Sequence, residues 1–301
     1  MYDIIIIGAG PAGMTAAIYG KRASKKVLVI EAIAYGGQII NTLEIDNYPV
    51  APHISGFDFS TKLYNQAQEM GAEFIFDKVI NIKDNTSFKE VITPNNSYKT
   101  KTVIIATGAE SRKLGLDNEK ELIGKGVSYC ATCDGNFYRG KDVAVVGGGN
   151  TAIEDALYLA DLANKVYLIH RKDKLKVESI DADKLKTKEN VEIIYNATVN
   201  KLIAKEKLEK IEILINGKEL KEIEVAGIFI AIGRVPENEN FKKLIKTDEF
   251  GYIEAGEDCH TNIPGIYAAG DNRKKELRQL VTATSDGAIA ATEAIKYLNN
   301  K

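Results

Sequence analysis

The sequence predicts an α/β fold of two parallel-sheet units, the second inserted in the first, and three observations carry that reading. A glycine-rich turn between an apolar strand and a helix occurs twice, at Gly8-Ala9-Gly10-Pro11-Ala12-Gly13 and at Gly147-Gly148-Gly149-Asn150-Thr151-Ala152. The surroundings repeat as well: Lys26-Val27-Leu28-Val29-Ile30-Glu31 matches Lys165-Val166-Tyr167-Leu168-Ile169-His170, and in both copies the last residue stands 21 positions after the second spaced glycine. A chain of 301 residues with 45% hydrophobic content can also fill two ordinary cores.

Taken in order, residues 3–7 form the first strand, and a helix runs from the turn through Ala23. Gly8 permits the tight turn, Gly10 lets backbone approach a pyrophosphate, and Gly13 lets helix lie on strand. The helix amino terminus then turns its unpaired N–H groups toward phosphate. The second copy follows a strand at 142–146 and precedes a helical run at 153–163, with Ala152 as the small third residue. Each copy next passes through a polar stretch suited to short antiparallel strands, turning at Pro94-Asn95-Asn96 and at Asn216-Gly217. Each closes on another apolar strand, one ending at Gly108 and the other at Gly233. These are two Rossmann-like, three-layer ββα dinucleotide-binding domains. After the second, residues 261–271 give a turn, a strand and the corner Gly270-Asp271, and a helical run at 277–298 follows. That tail is too short to stand alone and is expected to return to the first unit. The expected domains are 1–112 with 240–301, and 113–239 between them, joined near Arg112 and Asn240 where polar residues replace apolar strands.

Forty basic against 42 acidic side chains leave a net charge of −2, so no global field points to nucleic acid or to an anionic membrane, and neither is expected as a partner. The apolar run at 4–7 is too short for a signal sequence or a membrane span, and a soluble cytoplasmic protein is expected. Three cysteines do not make a secreted disulfide scaffold.

The two units differ chemically where the second strand ends. Glu31 places a carboxylate where both ribose hydroxyls of an adenosine can donate to it and a 2′-phosphate is repelled, which suits FAD or NAD. The equivalent place in the second unit holds His170-Arg171-Lys172, with Lys174 and Lys176 following. Such a cluster can pair with a 2′-phosphate and argues for NADP; its plain alternative is a solvated basic turn.

Between the two glycine turns lies Cys130-Ala131-Thr132-Cys133-Asp134. Two thiols with two residues between them can close into a readily exchanged disulfide. A zinc site would need further ligands, and the suggestive candidates Cys259 and His260 are adjacent, which makes a shared tetrahedron awkward. A pair of inert buried cysteines is the second alternative. Asp134 favours the redox reading, because a carboxylate beside the second thiol can move a proton during exchange. The rim around the pair, Tyr129, Asn136, Phe137, Tyr138 and Arg139, is either a protein-docking surface or packing beneath it.

With these motifs in this order, and with Gly36-Gly37-Gln38, Asn47-Tyr48-Pro49 and Leu277-Arg278-Gln279, nearly the whole chain resembles the low-molecular-weight thioredoxin reductases. The resemblance implies FAD in the domain made from both chain ends, NADPH in the inserted domain, and electrons passing from NADPH to FAD, to the Cys130/Cys133 disulfide and on to thioredoxin. It further implies a homodimer. FAD contacts fall to the first glycine turn, Glu31, Gly36, Gly37, Gln38, Asn47, Gly108, Gly270, Asp271, Arg278 and Gln279, with Asp134 as proton donor and acceptor. NADPH contacts fall to Gly147, Gly149, Asn150, Thr151, Ala152, His170, Arg171, Lys172 and Lys176. One departure is visible: the family's His-Arg-Arg with a following Arg is here His170-Arg171-Lys172 with Lys176, which keeps charge and loses the bidentate fork at two positions. The alternative acceptors are a glutaredoxin-like protein or a peroxidase.

Overall fold

The computed structural model describes residues 1–42, 44–175 and 180–300. The chain divides into two compact units, Met1–Glu110 with Val235–Lys301, and Ser111–Arg234. The first crossing lies beside the expected junction at Arg112, and the second comes ahead of Asn240. Burial accounts for the earlier return: the wholly buried Asn238 side chain donates to Gly251 O at 2.9 Å and Asn272 O at 2.7 Å, inside the first unit.

The first unit begins with β1 (Tyr2–Ile7), α1 (Pro11–Arg22), β2 (Val27–Glu31), α2 (Gly56–Glu69) and β3 (Glu73–Phe76). It continues through β4 (Asn81–Asp84), β5 (Lys89–Ile92) and β6 (Ser97–Ile105), and leaves along β7 (Ala109–Ser111). The second unit contains β8 (Val127–Ser128), α3 (Ala131–Asp134), β9 (Asp142–Gly147), α4 (Asn150–Ala160), β10 (Lys165–Ile169), α5 (Ile180–Lys186) and β11 (Val191–Ile194). Its three-stranded layer is β12 (Ala197–Ala204), β13 (Leu208–Ile215) and β14 (Glu219–Glu224), after which β15 (Gly227–Ala231) rejoins the parallel sheet. The chain returns through β16 (Arg234–Pro236), β17 (Ile266–Ala268) and α6 (Leu280–Asn299).

In the first unit β3, β2, β1 and β6 lie side by side in parallel, with β17 parallel on the far side of β6. β6 serves two layers: its second half pairs with β1 and β17, while its first half pairs antiparallel with β5. The isoleucine run of β1 shows no polar alternation because both faces are covered. Ile4 and Ile6 join a core with Ala16, Ala17, Ala290 and Ala291 of α1 and α6, and Ile5 and Ile7 join the opposite one with Val79, Val91 and Ile253.

The second unit repeats the plan with the parallel order β11-β10-β9-β15-β8. The β13 to β14 connection, residues 216–218, turns at Asn216 and Gly217, both with positive φ, and Lys218 N closes the turn on Ile215 O at 3.0 Å. α6 starts at Leu280 rather than Leu277, because Gln279 caps it and exchanges side-chain and backbone hydrogen bonds with Thr282. Among the described residues no helix is long and apolar enough to cross a membrane.

Candidate redox and dinucleotide sites

In the first unit the glycine turn sits between β1 and α1 with Gly10 as helix cap and no side chain capping the first N–H groups. A Cβ on Gly13 would lie 1.9 Å from Gly8 O, so only glycine allows this helix to rest on this turn. Gly10 itself is not forced by packing, since a Cβ there would meet nothing closer than Gly37 Cα at 3.9 Å. Its missing side chain instead leaves the helix end open, and an uncapped, open helix end fits a pyrophosphate. The turn at 36–38 closes on this one, with Gly36 N donating to Ala9 O at 2.8 Å. Glu31 accepts from Ala9 N at 2.7 Å and Ile33 N at 3.0 Å, and each carboxylate oxygen keeps a further lone pair for a ribose hydroxyl.

The returning segment meets the same region. Gly270 N donates to Asp286 Oδ2 at 2.9 Å, and that carboxylate also receives Arg273 Nε at 2.8 Å, Arg273 Nη2 at 2.9 Å and Lys275 Nζ at 2.8 Å. Arg273 and Asp286 are almost wholly buried. Despite its burial, Asp286 is held below the usual carboxylate range by Arg273 and Lys275. Cys259 lies in the same buried cluster, where burial and the Asp286 charge push its thiol up to about 12 and make it inert. Arg278 Nε donates to Asp271 O at 3.4 Å while its guanidinium lies over the Tyr252 ring, and Asn47 Nδ2 donates to Gln279 Oε1 at 3.1 Å. Asp271, Arg278, Gln279 and Asn47 are thus linked pairwise in the first unit, as are Glu31 and the glycine turn.

In the second unit α4 starts at Gly149, again without a side-chain cap. A Cβ on Gly149 would meet nothing within 4 Å, and its φ of −98° suits any residue, so the glycine leaves open space at the helix end. Ala152 occupies the third place, and its Cβ lies where a Cβ on Gly147 would be, 2.6 Å away. His170 is buried, with its ring against the turn: a Cβ on Gly148 would lie 2.1 Å from Nδ1. The imidazole is therefore a wall of the turn, whereas Arg171 and Lys172 are exposed cations beside it. Lys176 lies outside the described residues.

The cysteine pair is closed as a disulfide with a Cα–Cα distance of 5.3 Å. Cys130 caps the short helix α3, and Ala131 beneath it is fully buried in a core with Leu159 and Phe229. Asp134 N donates to Cys130 O at 3.1 Å, which closes the turn. Burial lifts the Asp134 carboxyl above its usual range, against the Ser128 hydroxyl, which donates to it at 2.6 Å and favours the charged form. The same burial, with the Asp134 charge, pushes Tyr138 up to about 12.

The rim divides. Tyr138 packs edge-on against Phe229, and Tyr129 donates to Glu119 at 2.7 Å, so both support the turn from below. Glu119 is itself buried and accepts from the backbone of Leu114, Gly115 and Leu116. Asn136, Phe137 and Arg139 remain exposed, and Arg139 Nη2 donates to Asn136 Oδ1 at 3.3 Å. Ser128, Glu119, Arg273, Lys275 and Asp286 had no signal in the sequence beyond their nearness to a motif.

Comparisons with known proteins point the same way. The family profile described as pyridine nucleotide-disulphide oxidoreductase matches residues 2–287. A thioredoxin reductase of Listeria innocua is 46% identical over 301 residues, covering 99% of this chain and 94% of that protein. The Bacillus subtilis thioredoxin reductase is 44% identical over 301 residues, with 99% and 95% covered. Among solved structures, a thioredoxin reductase from Streptococcus pyogenes superposes with a TM-score of 0.96 at 41% identity, covering 100% of this chain and 99% of that one.

Proposed function

Because this chain belongs to the thioredoxin reductase branch of the pyridine nucleotide-disulphide oxidoreductases, we propose that it is an NADPH-dependent flavoprotein that reduces the disulfide of thioredoxin, working as a cytoplasmic homodimer. The observation that supports this best is the closed Cys130–Cys133 disulfide on a half-buried turn, whose Cys130 backbone and Asp134 carboxyl are both hydrogen-bonded to Ser128. FAD fits the first unit, at the open end of α1, Glu31 and the Gly270-Asp271 corner. NADPH fits the second, at the open end of α4 with Arg171 and Lys172 for its 2′-phosphate. When bound, these two groups would supply the electron pair that opens the Cys130–Cys133 bond.

The protein's own chemistry is then disulfide exchange. One thiolate of the reduced pair attacks a sulfur of the thioredoxin disulfide and forms a mixed disulfide, and the other thiolate displaces it. The enzyme S–S bond re-forms, the thioredoxin S–S bond breaks, and two electrons and two protons pass to thioredoxin. Asp134, kept protonated further toward neutral pH by burial, would hand a proton to the departing thiolate. Phe137 and Arg139 form the exposed rim that thioredoxin would meet.

The test separates the half-reactions. Cys130→Ser or Cys133→Ser should leave bleaching of the flavin by NADPH intact and abolish thioredoxin reduction. Retained turnover in either variant, or a protein that cannot be loaded with FAD, defeats the reading. A glutaredoxin-like or peroxidase partner reduced faster than thioredoxin keeps the chemistry and replaces the partner.

A further inference from the structure

We infer that Ser128 is a positioning residue that holds the Asp134 carboxyl and the Cys130 backbone in one hydrogen-bonded ring, and that its hydroxyl reverses as Asp134 gains or loses its proton. The inference rests on the proton role proposed above for Asp134. Ser128 ends β8, which is paired with β15 through Val127 to Ile228 and Ser128 to Phe229, so its backbone belongs to the central sheet of the unit. It is 3% exposed, too little for water to take over its hydrogen bonds.

Three contacts meet at the Ser128 oxygen. It donates to Asp134 Oδ2 at 2.6 Å, accepts from Cys130 N at 3.1 Å, and has Cys130 O at 3.3 Å as a second possible acceptor. Asp134 N also donates to Cys130 O, at 3.1 Å. A hydroxyl carries one hydrogen and two lone pairs, so it cannot donate to Asp134 and to Cys130 O at once. With Asp134 ionised, the hydrogen goes to the carboxylate, and 2.6 Å is the length expected of a charge-assisted O–H···O⁻ bond. With Asp134 protonated, the carboxylic acid can donate to the Ser128 oxygen while the serine hydrogen turns to Cys130 O. Both protonation states are satisfied without moving a heavy atom, and the carboxyl keeps one orientation toward the cysteine turn throughout exchange.

The donated hydrogen also opposes the effect of burial on Asp134, so its removal has a stated sign. In Ser128→Ala holoenzyme the acid form of Asp134 should persist to higher pH. The pH limb of thioredoxin turnover that belongs to Asp134 should therefore move up by about one unit. Ser128→Thr, which keeps the hydroxyl, should restore the limb to its place. NADPH-driven bleaching of the flavin in each variant reports that the protein is folded and loaded. If the alanine protein fails to accumulate, Ser128→Cys replaces it, since a thiol is a weak donor of similar shape and should move the limb the same way. A limb unmoved in these variants but absent in Asp134→Asn overturns the role of Ser128 alone. A limb that survives in Asp134→Asn overturns the proton role of Asp134 and this inference with it.

Discussion

The two glycine turns have the same spacing and solve the same packing problem with different atoms. At the middle position the first turn has Ala9 and the second Gly148; at the end of the following strand the first has Glu31 and the second His170. In the first unit the contact is polar, Ala9 N to the Glu31 carboxylate at 2.7 Å, and a methyl group at Ala9 does not interfere. In the second the imidazole occupies the space that a methyl group at 148 would need. The residue between the two spaced glycines is thus tied to the residue 22 positions later. The general lesson is that an N–H can serve an acidic neighbour beneath any side chain, whereas a ring laid on the backbone demands glycine.

A second contrast lies in the buried carboxylates. Asp286 of the first unit has two cations on it and stays ionised, whereas Asp155 of the second is lifted to about 7, chiefly by burial and despite the charge of Arg234. The largest expected effect follows. Asp286→Asn removes the anion from between buried Arg273 and Lys275 and should cost about 3–5 kcal/mol of stability, because Lys275 loses its carboxylate and Arg273 keeps only the exposed Glu257. FAD retention should fall with it, since Gly270 N is left with at most a neutral amide oxygen in place of a carboxylate. Denaturant titration and flavin content check both, and a loss below about 1 kcal/mol would mean that the cluster relaxes into water.

The turn contrast is broken more gently. Gly148→Ala should push the His170 ring aside and destabilise the protein by about 1–3 kcal/mol, as an overpacked core does. The converse change, Ala9→Gly, keeps the Glu31 hydrogen bond and displaces no ring, and should cost about 1–2 kcal/mol through backbone entropy and one lost buried methyl group. Equal losses in the two variants would show that the His170 ring has room to move and that the coupling is absent.

Much of this was legible in the sequence because it depends on local rules. Strands buried on both faces, small residues at a helix-on-strand contact and a positive-φ hairpin each leave a residue-level mark, as at Ile4 to Ile7, Gly13 and Gly217. What escaped depends on closure in space. His170 reads as one cation in a basic run, yet its strand carries it inward onto Gly148, while Arg171 and Lys172 face solvent. Tyr129 and Tyr138 read as rim beside Phe137, yet one is held by Glu119 and the other by Phe229. Ser128 is an ordinary serine until β8 sets it beside Asp134.

That division of the basic run makes Arg171 the sharper test of coenzyme choice. Each hydrogen bond to a charged partner is worth about 1.5–3 kcal/mol, so Arg171→Ala should raise the NADPH Michaelis constant roughly 10- to 100-fold and leave that of NADH nearly unchanged. Lys172→Ala should do the same more weakly, because an ammonium cannot form the two-pronged contact of a guanidinium. Steady-state assays with both coenzymes decide it, and an equal rise for NADPH and NADH would remove the cluster from 2′-phosphate recognition.

The last expected effect uses the opposite signs of the Asp286 and Asp155 carboxylates. Asp286 has a folded pKa below its unfolded one, so its contribution is complete at neutral pH and is lost only as pH falls below about 4. Asp155 is the reverse: the folded protein keeps a proton on it up to about 7, while the unfolded chain releases it near 3.8. Between those values the folded state binds the extra proton, so the second unit loses stability as pH rises and levels off above neutrality. Mild acid should therefore firm the second unit while leaving the first unchanged, and stronger acid should loosen the first. Hydrogen exchange at β9 and β10 against β1 and β2, followed from pH 5 to pH 7 with correction for the intrinsic rate, reads the two units separately. Asp155→Asn should flatten the slope in the second unit only. A slope that persists in that variant would assign the titration to another group and dissolve this part of the contrast.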